Sequence, residues 1–358
     1  MMQLTAEEAH ALTLPRAEAW RYDLLDLADK KIGKLDGVTG GSFDFSVADT
    51  IRSGGQITCQ GQGIDWLKVR VQPWYTMTAG DYTLEWPLGV FIPASPGVDY
   101  STPGGSRTIE LYDKLLILSR DETDGTYSVA AGAVVTTVVR SILVLAGEVR
   151  DAITDSTATL RTAMVWEAGT TKLQIVNELL ASINYFSLWV DGYGVFHGTP
   201  YVAPTVRGTA WNFADNENSI YSPAFTVDED SFDVPNKVTL VSTSDGETAA
   251  MTAVALNEDP NSRFSFNQRQ LWISKTETEV EASTQTILNA MAQRRLVELT
   301  GVTATFNIDH AYIPLDLNDA VQFTRAAEDI SVSAVVQSMT ISTEVGAPVK
   351  TMFRGVNP

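Results

Sequence analysis

Apolar and polar residues alternate along the first third of the chain, in short runs that Gly, Asp and Ser separate. A period of two places successive side chains on opposite faces, so this pattern predicts antiparallel strands of a sandwich or barrel. We expect strands near residues 20–24, 43–47, 57–59, 66–71, 82–86 and 108–111, with turns at 36–37 and 53–55. Residues 1–15 are expected to form an extended arm.

The apolar period in the middle third is helical instead. It predicts a helix over residues 134–143, which Gly147 ends. Thr171 and Gln174 have the spacing of a capping box and predict the start of a second helix. A hairpin with its turn at residues 191–194 follows, so this third is predicted to be a small α+β unit.

Alternating strands return in the last third, and a helix from about Ser283 to Gly301 interrupts them. The strands are expected at residues 237–241, 303–308, 320–323, 331–336 and 340–343, and the buried helix face at Ile287, Leu288, Met291, Ala292 and Leu296. The sequence therefore predicts a mainly β fold with an α+β insertion. The predicted domains are residues 1–122, 123–230 and 231–358, and the two β-rich outer domains are expected to fold alike.

Charge narrows the possible functions of the chain. Its 25 Lys and Arg stand against 44 Asp and Glu, a net charge of −19, which disfavours binding to a phosphate backbone or to an anionic membrane surface. The single cysteine, Cys59, excludes an intramolecular disulfide and a zinc site of several cysteines. Residues 1–20 do not resemble a signal peptide, and Arg140 interrupts the most apolar stretch. We expect a soluble protein that is made in a cytoplasm.

The acidic excess is concentrated between residues 208 and 260, where Lys237 is the one basic residue. The ten acidic residues are Asp215, Glu217, Asp228, Glu229, Asp230, Asp233, Asp245, Glu247, Glu258 and Asp259. They are interpreted either as solvated loops or as a negatively charged surface that faces a molecule which must not adhere to the protein.

Catalytic patterns are scarce in the sequence. No Gly-x-Ser-x-Gly string occurs, and His197 has no second histidine three or four residues away, so a structural role is favoured for it. Glycine pairs at 61/63 and 192/194 lack the third glycine of a dinucleotide loop and are interpreted as turns. Residues 121–125 lack the ligand spacing of a calcium loop. We therefore predict no enzyme, assign no catalytic, cofactor-binding or metal-binding residue, and expect no cofactor.

Four tryptophans fall in the first β-rich region, at positions 20, 66, 74 and 86. An exposed group of this kind would suit carbohydrate stacking. Trp66 and Trp86 lie in alternating strands, however, where large side chains usually fill the core, so core packing is the favoured interpretation.

The order of these elements resembles the baseplate or tail-tip hub proteins of long-tailed bacteriophages, which are related to the base of the type VI secretion spike. The resemblance covers about residues 16–341. It depends on the opening strand at 20–25 with the segments 40–43 and 51–55, the strands 88–92 and 107–115, the segment 169–180 with its hairpin, and the segments 234–238 and 314–321.

The resemblance implies two tube-protein-like β-barrel domains that flank the α+β unit, and a homotrimer that forms a ring of pseudo-sixfold symmetry in the virion tail. The implied partners are the tail tube or distal tail protein ring, the tape measure protein and the tip or spike protein. Genomic DNA would pass only transiently through the channel, and no stable membrane binding is expected. Because the given sequence ends at Pro358, we expect no appended peptidase or lysozyme domain.

Two other functions remain open at this stage. One is a carbohydrate-binding or receptor-binding tail module, which would present an exposed aromatic platform. The other is a cell-wall glycoside hydrolase, which would hold a carboxylate pair about 5–10 Å apart in a cleft.

Overall fold

The computed structural model describes residues 4–60, 63–99, 105–216, 219–222, 226–228, 233–244, 246, 249–300, 305–325 and 330–356. Its helices are α1 (Ala6–Ala11), α2 (Leu115–Arg120), α3 (Val135–Leu145), α4 (Lys172–Ser182), α5 (Phe266–Arg269) and α6 (Gln285–Thr300). Short 3₁₀ turns lie at Trp66–Lys68 and Pro204–Val206.

The strands fall into three groups along the chain. The first β region contains β1 (Ala17–Leu25), β2 (Lys31–Lys34), β3 (Val38–Ser46), β4 (Ser53–Gln60), β5 (Arg70–Ala79), β6 (Tyr82–Pro87), β7 (Phe91–Asp99) and β8 (Ser106–Asp113). The middle unit contains β9 (Tyr127–Val129), β10 (Asp151–Ile153), β11 (Met164–Trp166), β12 (Trp189–Val190) and β13 (Phe196–Gly198). The last β region contains β14 (Thr209–Ala214), β15 (Thr226–Asp228), β16 (Lys237–Ser242), β17 (Thr252–Leu256), β18 (Ser274–Val280), β19 (Thr305–His310), β20 (Ala320–Arg325), β21 (Ile330–Ser342) and β22 (Val349–Val356). The predicted mainly β fold with an α+β insertion is confirmed.

One large sheet joins the two ends of the chain. Its order is β15-β19-β22-β21-β3-β4-β8-β7-β5-β1-β2, with β6 added on β5 and the pair β14–β20 added on β21. The long strand β21 makes the connection, because its C-terminal half pairs with β3 from Ser338 opposite Ser46 to Ser342 opposite Ser42. Side chains from both regions accordingly pack in one apolar cluster, in which Phe43 and Phe91 lie with Phe323 and Phe353.

The middle unit has an apolar core of its own, in which α3 and α4 pack with short strands. Both predicted helix signals are confirmed. Gly147 follows α3 with φ +85°, and the hydroxyl of Thr171 accepts a hydrogen bond from the Gln174 N–H at 3.2 Å. Val176 and Leu180 of α4 are fully buried in this core.

A smaller sheet of order β17-β16-β18 lies beside α6. Leu288, Ala292 and Leu296 of the helix are buried against the sheet, while Ile287 and Met291 are half-buried at the rim of the same cluster. The predicted helix and most of its buried face are therefore confirmed, and its predicted end at Gly301 lies outside the described residues.

Three local predictions are wrong. The arm at residues 1–15 contains helix α1, because Thr5 and Glu8 cap each other's backbone N–H groups at 3.2 and 2.7 Å. Residues 66–68 form a 3₁₀ turn, so strand β5 begins only at Arg70. The glycines at 54–55 lie inside β4, where a Cβ on Gly55 would stand 2.1 Å from the Ser42 carbonyl oxygen. They permit close strand pairing and do not form a turn.

The domain boundaries after residues 122 and 230 stay a prediction. The middle core is formed between Leu115 and Phe196, close to the predicted insertion. The two outer segments share one sheet and one core.

Candidate functional site

A half-enclosed cleft of about 530 Å³ lies where the first β region, the middle unit and the last β region meet. That volume lies in the range of roughly 300–1,000 Å³ that is usual for ligand sites. The first β region contributes Phe45, Arg52, Ser53, Pro87 and Leu88; the middle unit contributes Phe186, Trp189, Val190, Asp191, Gly192 and Thr199; the connection to β14 and the last β region contribute Pro200, Val202, Arg207, Gly208, Tyr312, Pro314, Leu315, Asp316, Leu317, Asn318, Asp319, Met339 and Ile341.

The floor of the cleft is apolar and firmly packed. Leu88, Tyr312, Met339 and Ile341 are all buried. The Tyr312 ring also stacks on Tyr75 of β5, with the ring centroids 4.0 Å apart. Since buried side chains of this kind keep their positions, the cleft is preformed.

One wall is the β12–β13 hairpin, which the sequence identified through its turn and its histidine. His197 stacks on Trp189 at 4.2 Å between ring centroids, and its Nε2 lies 2.9 Å from Asp191 Oδ2. The other oxygen of Asp191 accepts the N–H groups of Tyr193 and Val195. Burial raises the pKa of Asp191, but His197 and these N–H groups outweigh it, so the pKa lies below its ordinary value. His197 thus fixes the hairpin, as a structural role requires.

Four arginines lie in or near the cleft, at positions 52, 207, 294 and 354, and the first two of them line it. Arg207 lies 5.1 Å above the Phe186 ring, and Arg294 lies 4.6 Å from the centre of the Tyr201 ring. Burial lowers the pKa of Arg52, Arg207 and Arg354. The charge of Arg294 lowers the pKa values of Arg52 and Arg207 further, whereas the carboxylates of Asp113 and Asp319 act in the opposite direction on Arg52 and Arg207 respectively.

A buried carboxylate lies directly behind Ser53. Asp113 accepts the N–H and the hydroxyl of Ser53 at 2.8 and 2.9 Å, and it accepts the N–H of Leu115 at 2.8 Å. Burial raises the pKa of Asp113 to about 6 in spite of these hydrogen bonds. Because Asp113 accepts hydrogen bonds from β4 and from the first residue of α2 and is only 2% exposed, the pair holds β4 against the start of α2.

A network of buried charges holds the middle unit to the first β region. Asp29 contacts Arg70 at 2.6 Å, Lys114 at 2.8 Å and Arg150 at 3.2 Å. Glu148, which follows α3, contacts the same Arg70 at 2.7 Å and Lys114 at 2.6 Å. The Lys114 ammonium group is fully buried and also donates to a backbone carbonyl of the β12–β13 turn at 2.9 Å.

The pKa values in this network follow from its geometry. Burial raises the pKa of Asp29, but the hydrogen bonds and charges of Lys114 and Arg70 outweigh it and hold the value below the ordinary one. Burial likewise lowers the pKa of Arg70, and its two carboxylate partners raise it above the ordinary value. Each charge is therefore stabilised by opposite charges in the same cluster.

The four tryptophans of the first β region are buried or half-buried. Trp66 and Trp86 are 6% and 5% exposed, which confirms core packing. Trp20 is half-buried and contacts Phe43 and Tyr75. Trp74 is also half-buried, with Arg21 above its ring at 4.7 Å. These contacts do not form the exposed platform that a carbohydrate-binding module would need.

The glycine pairs, the loop at residues 121–125 and the acidic segment at residues 208–260 were also noted in the sequence. The glycine at 194 has φ +78°, as the predicted turn requires, whereas residues 61–62 lie outside the described residues. Residues 121–125 form a loop in which Asp121 pairs with Lys172 at 2.5 Å. Six of the ten acidic side chains between residues 208 and 260 lie outside the described part, so the direction they face stays open.

The described residues contain no group of three or more His, Cys, Asp or Glu side chains that could hold a metal ion. None of the helices formed by these residues is long and apolar enough to cross a membrane.

Free strand edges are a second candidate for function. Within the described part of the chain, β2, β6, β14, β15, β17 and β18 each pair on one side only. The edge strand β18 carries Lys275, Glu277 and Glu279, and charges of this kind discourage further pairing. Strand β17 differs, because Val254 and Leu256 on its outer face are 49% and 41% exposed.

Sequence reasoning missed the cleft and the charged network. Their residues are far apart in the chain, as Arg52 and Arg207 illustrate, and neither the cleft nor the network forms a motif of fixed spacing. One local signal was available, since Asp29 and Gly37 both adopt positive φ in the turns that flank β2. Such a signal indicates a turn, but it does not show which cations the Asp29 carboxylate contacts.

No protein-family model matches the chain, and no curated protein matches its sequence. Solved structures do match it along nearly the whole length. A tail protein from Neisseria meningitidis has a TM-score of 0.66 at 11% identity, over 95% of this chain and 97% of that one. The 43 kDa tail protein of prophage MuSo2 from Shewanella oneidensis has a TM-score of 0.59 at 13% identity, over 93% and 98%. Prophage tail protein gp18 from Listeria monocytogenes has a TM-score of 0.58 at 10% identity, over 93% and 94%. The chain therefore has the fold of phage tail proteins.

Proposed function

We propose that the chain is a structural protein of a phage-type virion tail and forms the baseplate or tail-tip hub. The observation that carries this proposal is the fold match to the Neisseria tail protein, which spans 95% of this chain and 97% of that one. A match over both whole chains relates the complete arrangement of β regions and middle unit. The proposal therefore concerns the architecture of the whole molecule.

In this proposal the hub is a homotrimeric ring with pseudo-sixfold symmetry around the DNA ejection channel. Its partners are the tail tube or distal tail protein ring, the tape measure protein and the tip or spike protein. Free edges in both β regions support a ring, since neighbouring subunits can continue a sheet through them. The net charge of −19 also suits a channel through which DNA must slide without adhering.

A purely structural role accounts for the chemistry of the cleft. Ser53 donates its hydroxyl hydrogen to the buried carboxylate of Asp113, and His197 is engaged by Asp191. The buried tryptophans disfavour the alternative of a carbohydrate-binding module. We therefore propose a protein without enzymatic activity.

Strand β17 offers the sharpest test of the ring. Val254 and Leu256 lie on an edge strand with exposed apolar side chains, so replacing both by lysine should block pairing with a neighbour. Val345→Lys is the control, because Val345 is 67% exposed in the turn before β22. Sedimentation at micromolar concentration, at low and high salt, is the measurement. We expect a trimer for the parent and the control, and a monomer for the double variant.

One result would refute this proposal, and another would relocate its interface. A parent protein that stays monomeric and does not join a purified tail tube under the electron microscope would refute the hub. If the double lysine variant is still a trimer, the interface between subunits does not use β17, and the ring itself is not contradicted.

A further inference from the structure

Two strand edges that are free within the described part of the chain, β2 and β17, carry exposed apolar side chains. On β17, Val254 and Leu256 are 49% and 41% exposed, and on β2 Ile32 is 57% exposed. The neighbouring Gly33 is equally open, because a Cβ built there would have no heavy atom within 4 Å. Strand β2 ends the large sheet and β17 ends the smaller one, so each subunit offers two different edges to other chains.

Strand β17 also presents backbone groups at its free edge. The Asn257 N–H donates to the Asn236 carbonyl at 2.9 Å, so this pair is a hydrogen-bonded one. Hydrogen-bonded and open pairs alternate along antiparallel strands, which leaves Val254 and Leu256 in open pairs with β16. Their N–H and C=O groups therefore point to the free edge, where an added strand can bond to them.

The β2 edge carries two lysines that no carboxylate neutralises. Lys30 and Lys34 are exposed, and no carboxylate of the described residues lies within ion-pair distance of either. Lys31 differs, since its ammonium group lies 2.7 Å from Asp23. Lysine at an edge strand discourages pairing with another positively charged edge and leaves pairing with a negatively charged one possible.

The β17 edge carries the opposite charge. Glu258 and Asp259 directly follow the strand and are exposed, and no cation in the described part of the chain lies within ion-pair distance of them. The cation nearest in register is Lys237, which is paired with Leu256. Its ammonium group lies over the ring of Trp272 at 6.0 Å, and Trp272 precedes β18, on the other side of β16 from the free edge.

These charges select which edges pair. Two β2 edges would bring lysines together and two β17 edges would bring carboxylates together, and both pairings are unfavourable. When β2 pairs with β17, Ile32 can lie opposite Leu256, so that the exposed apolar side chains cover each other. In antiparallel pairing Lys30 then faces Glu258, and in parallel pairing Lys34 faces it. A lysine therefore meets the carboxylate whichever way the strands run.

We propose that β2 of one subunit pairs with β17 of the next subunit and that this contact joins the ring. Because the two edges are different surfaces, the contact is head-to-tail, and such a contact can close into a ring. The inference rests on the proposed function, which supplies the ring, and it names the surface that β17 meets. Strand β2 is only four residues long, so few backbone hydrogen bonds form and the side chains largely determine the affinity.

Charge reversal in the full chain tests the pairing. Lys30→Glu/Lys34→Glu and Glu258→Lys/Asp259→Lys should each weaken the trimer about tenfold or more, because like charges then meet at the contact. The quadruple variant exchanges the charges of the two edges and should regain most of the parent affinity. The measurement is sedimentation over a range of protein concentrations, and the effects should shrink at high salt. Lys68→Glu is the control, since Lys68 is 77% exposed and lies outside both edges.

A disulfide tests the register. Residues directly opposite each other in paired strands have Cα atoms about 4.5–5.5 Å apart, which a disulfide can span. Ile32→Cys/Leu256→Cys should therefore give covalently linked trimers under mild oxidation, whereas each single variant should stay unlinked. The native Cys59 is buried and does not take part.

Three outcomes in a trimeric parent would overturn the proposal. These are a quadruple variant no tighter than the double variants, a cysteine pair that stays unlinked, and a single cysteine variant that links to itself. Melting temperatures show whether each variant is folded, and the cysteine pair provides the reading if the reversal variants are not. A parent that stays monomeric would contradict the proposed ring as well, so failure of this contact alone is distinguishable from failure of the proposed function.

Discussion

Replacing Lys114 by methionine tests whether the buried charges hold the middle unit to the first β region. The Lys114 ammonium group is fully buried and contacts Asp29 at 2.8 Å and Glu148 at 2.6 Å. Methionine keeps much of the side-chain volume but removes the charge and the donor. Two carboxylates are then left with Arg70 and the partly exposed Arg150, and the carbonyl of Gly194 loses its donor.

The expected cost follows from burial. Removing one partner of a buried ion pair typically destabilises a protein by roughly 3–5 kcal/mol, because a charge stays buried without its counter-charge. Lys172→Met is the matched control, since Lys172 pairs with Asp121 where the two side chains are 24% and 35% exposed. A pair of that kind contributes only about 0–1 kcal/mol.

Urea unfolding, followed by tryptophan fluorescence and by circular dichroism, measures both changes. Coincidence of the two signals shows that the unfolding free energy is well defined. The double variant Lys114→Met/Glu148→Gln should cost less than the sum of its single variants by about 1.5–3 kcal/mol, because it removes one charge of each sign. If Lys114→Met costs no more than Lys172→Met, or if the double variant is additive, the network does not stabilise this junction.

Two more predictions concern pH and strand pairing. Burial lowers the pKa of His310 from 6.5 to about 4, so the unfolded chain takes up the proton first and stability falls as pH drops from 6.5 to 4. Burial raises the pKa of Asp113 from 3.8 to about 6, so the folded chain takes up that proton first and stability rises over nearly the same interval. Each group contributes about 3 kcal/mol to the pH dependence of the free energy of unfolding. In urea unfolding, the Asp113→Asn variant should therefore lose about 3 kcal/mol more stability than the parent between pH 6.5 and pH 4. Parallel pH profiles of the two proteins would contradict this. Gly55→Ala should cost roughly 1–3 kcal/mol or more, because the added Cβ would stand 2.1 Å from the Ser42 oxygen. Gly33→Ala, with nothing within 4 Å, should change the melting temperature little, and equal effects of the two would refute the close-approach argument.

The elements that could be predicted from the sequence are those encoded by neighbouring residues. Helix α4 is an example, since its cap at Thr171 and its buried face repeat within a single stretch. Strands β8 and β16 were likewise predicted, because their alternation reflects one buried face.

The errors arose where the decisive contact is distant in the chain. Gly54 and Gly55 have the composition of a turn, but their small size is needed by strands β3 and β8, which approach β4 from both sides. Helix α1 was missed although Thr5 and Glu8 have the spacing of a capping box, because the helix is only six residues long and has a single buried side chain. In both cases the local pattern fits two structures, and tertiary packing selects one.

The site could not be predicted because its chemistry depends on which charges the fold brings together. Lys114 follows a strand and precedes a helix, and nothing beside it in sequence shows that it will be fully buried. Arg52 and Arg207 acquire significance only when the middle unit packs between the two β regions. The predicted absence of a catalytic motif left these residues without a role, although their burial and charge make them the most informative side chains in the cleft.

The placement of the cations also bears on the proposed channel. Lys114 and Arg70 are buried in the network, and Arg52, Arg207 and Arg354 are partly withdrawn into the cleft region. A cation that is buried beside a carboxylate cannot attract a distant polyanion, because the pair is nearly neutral at that distance. These five cations therefore contribute little to the positive charge of the outer surface. If the subunits surround DNA as proposed, these five cations do not hold the phosphate backbone as it passes.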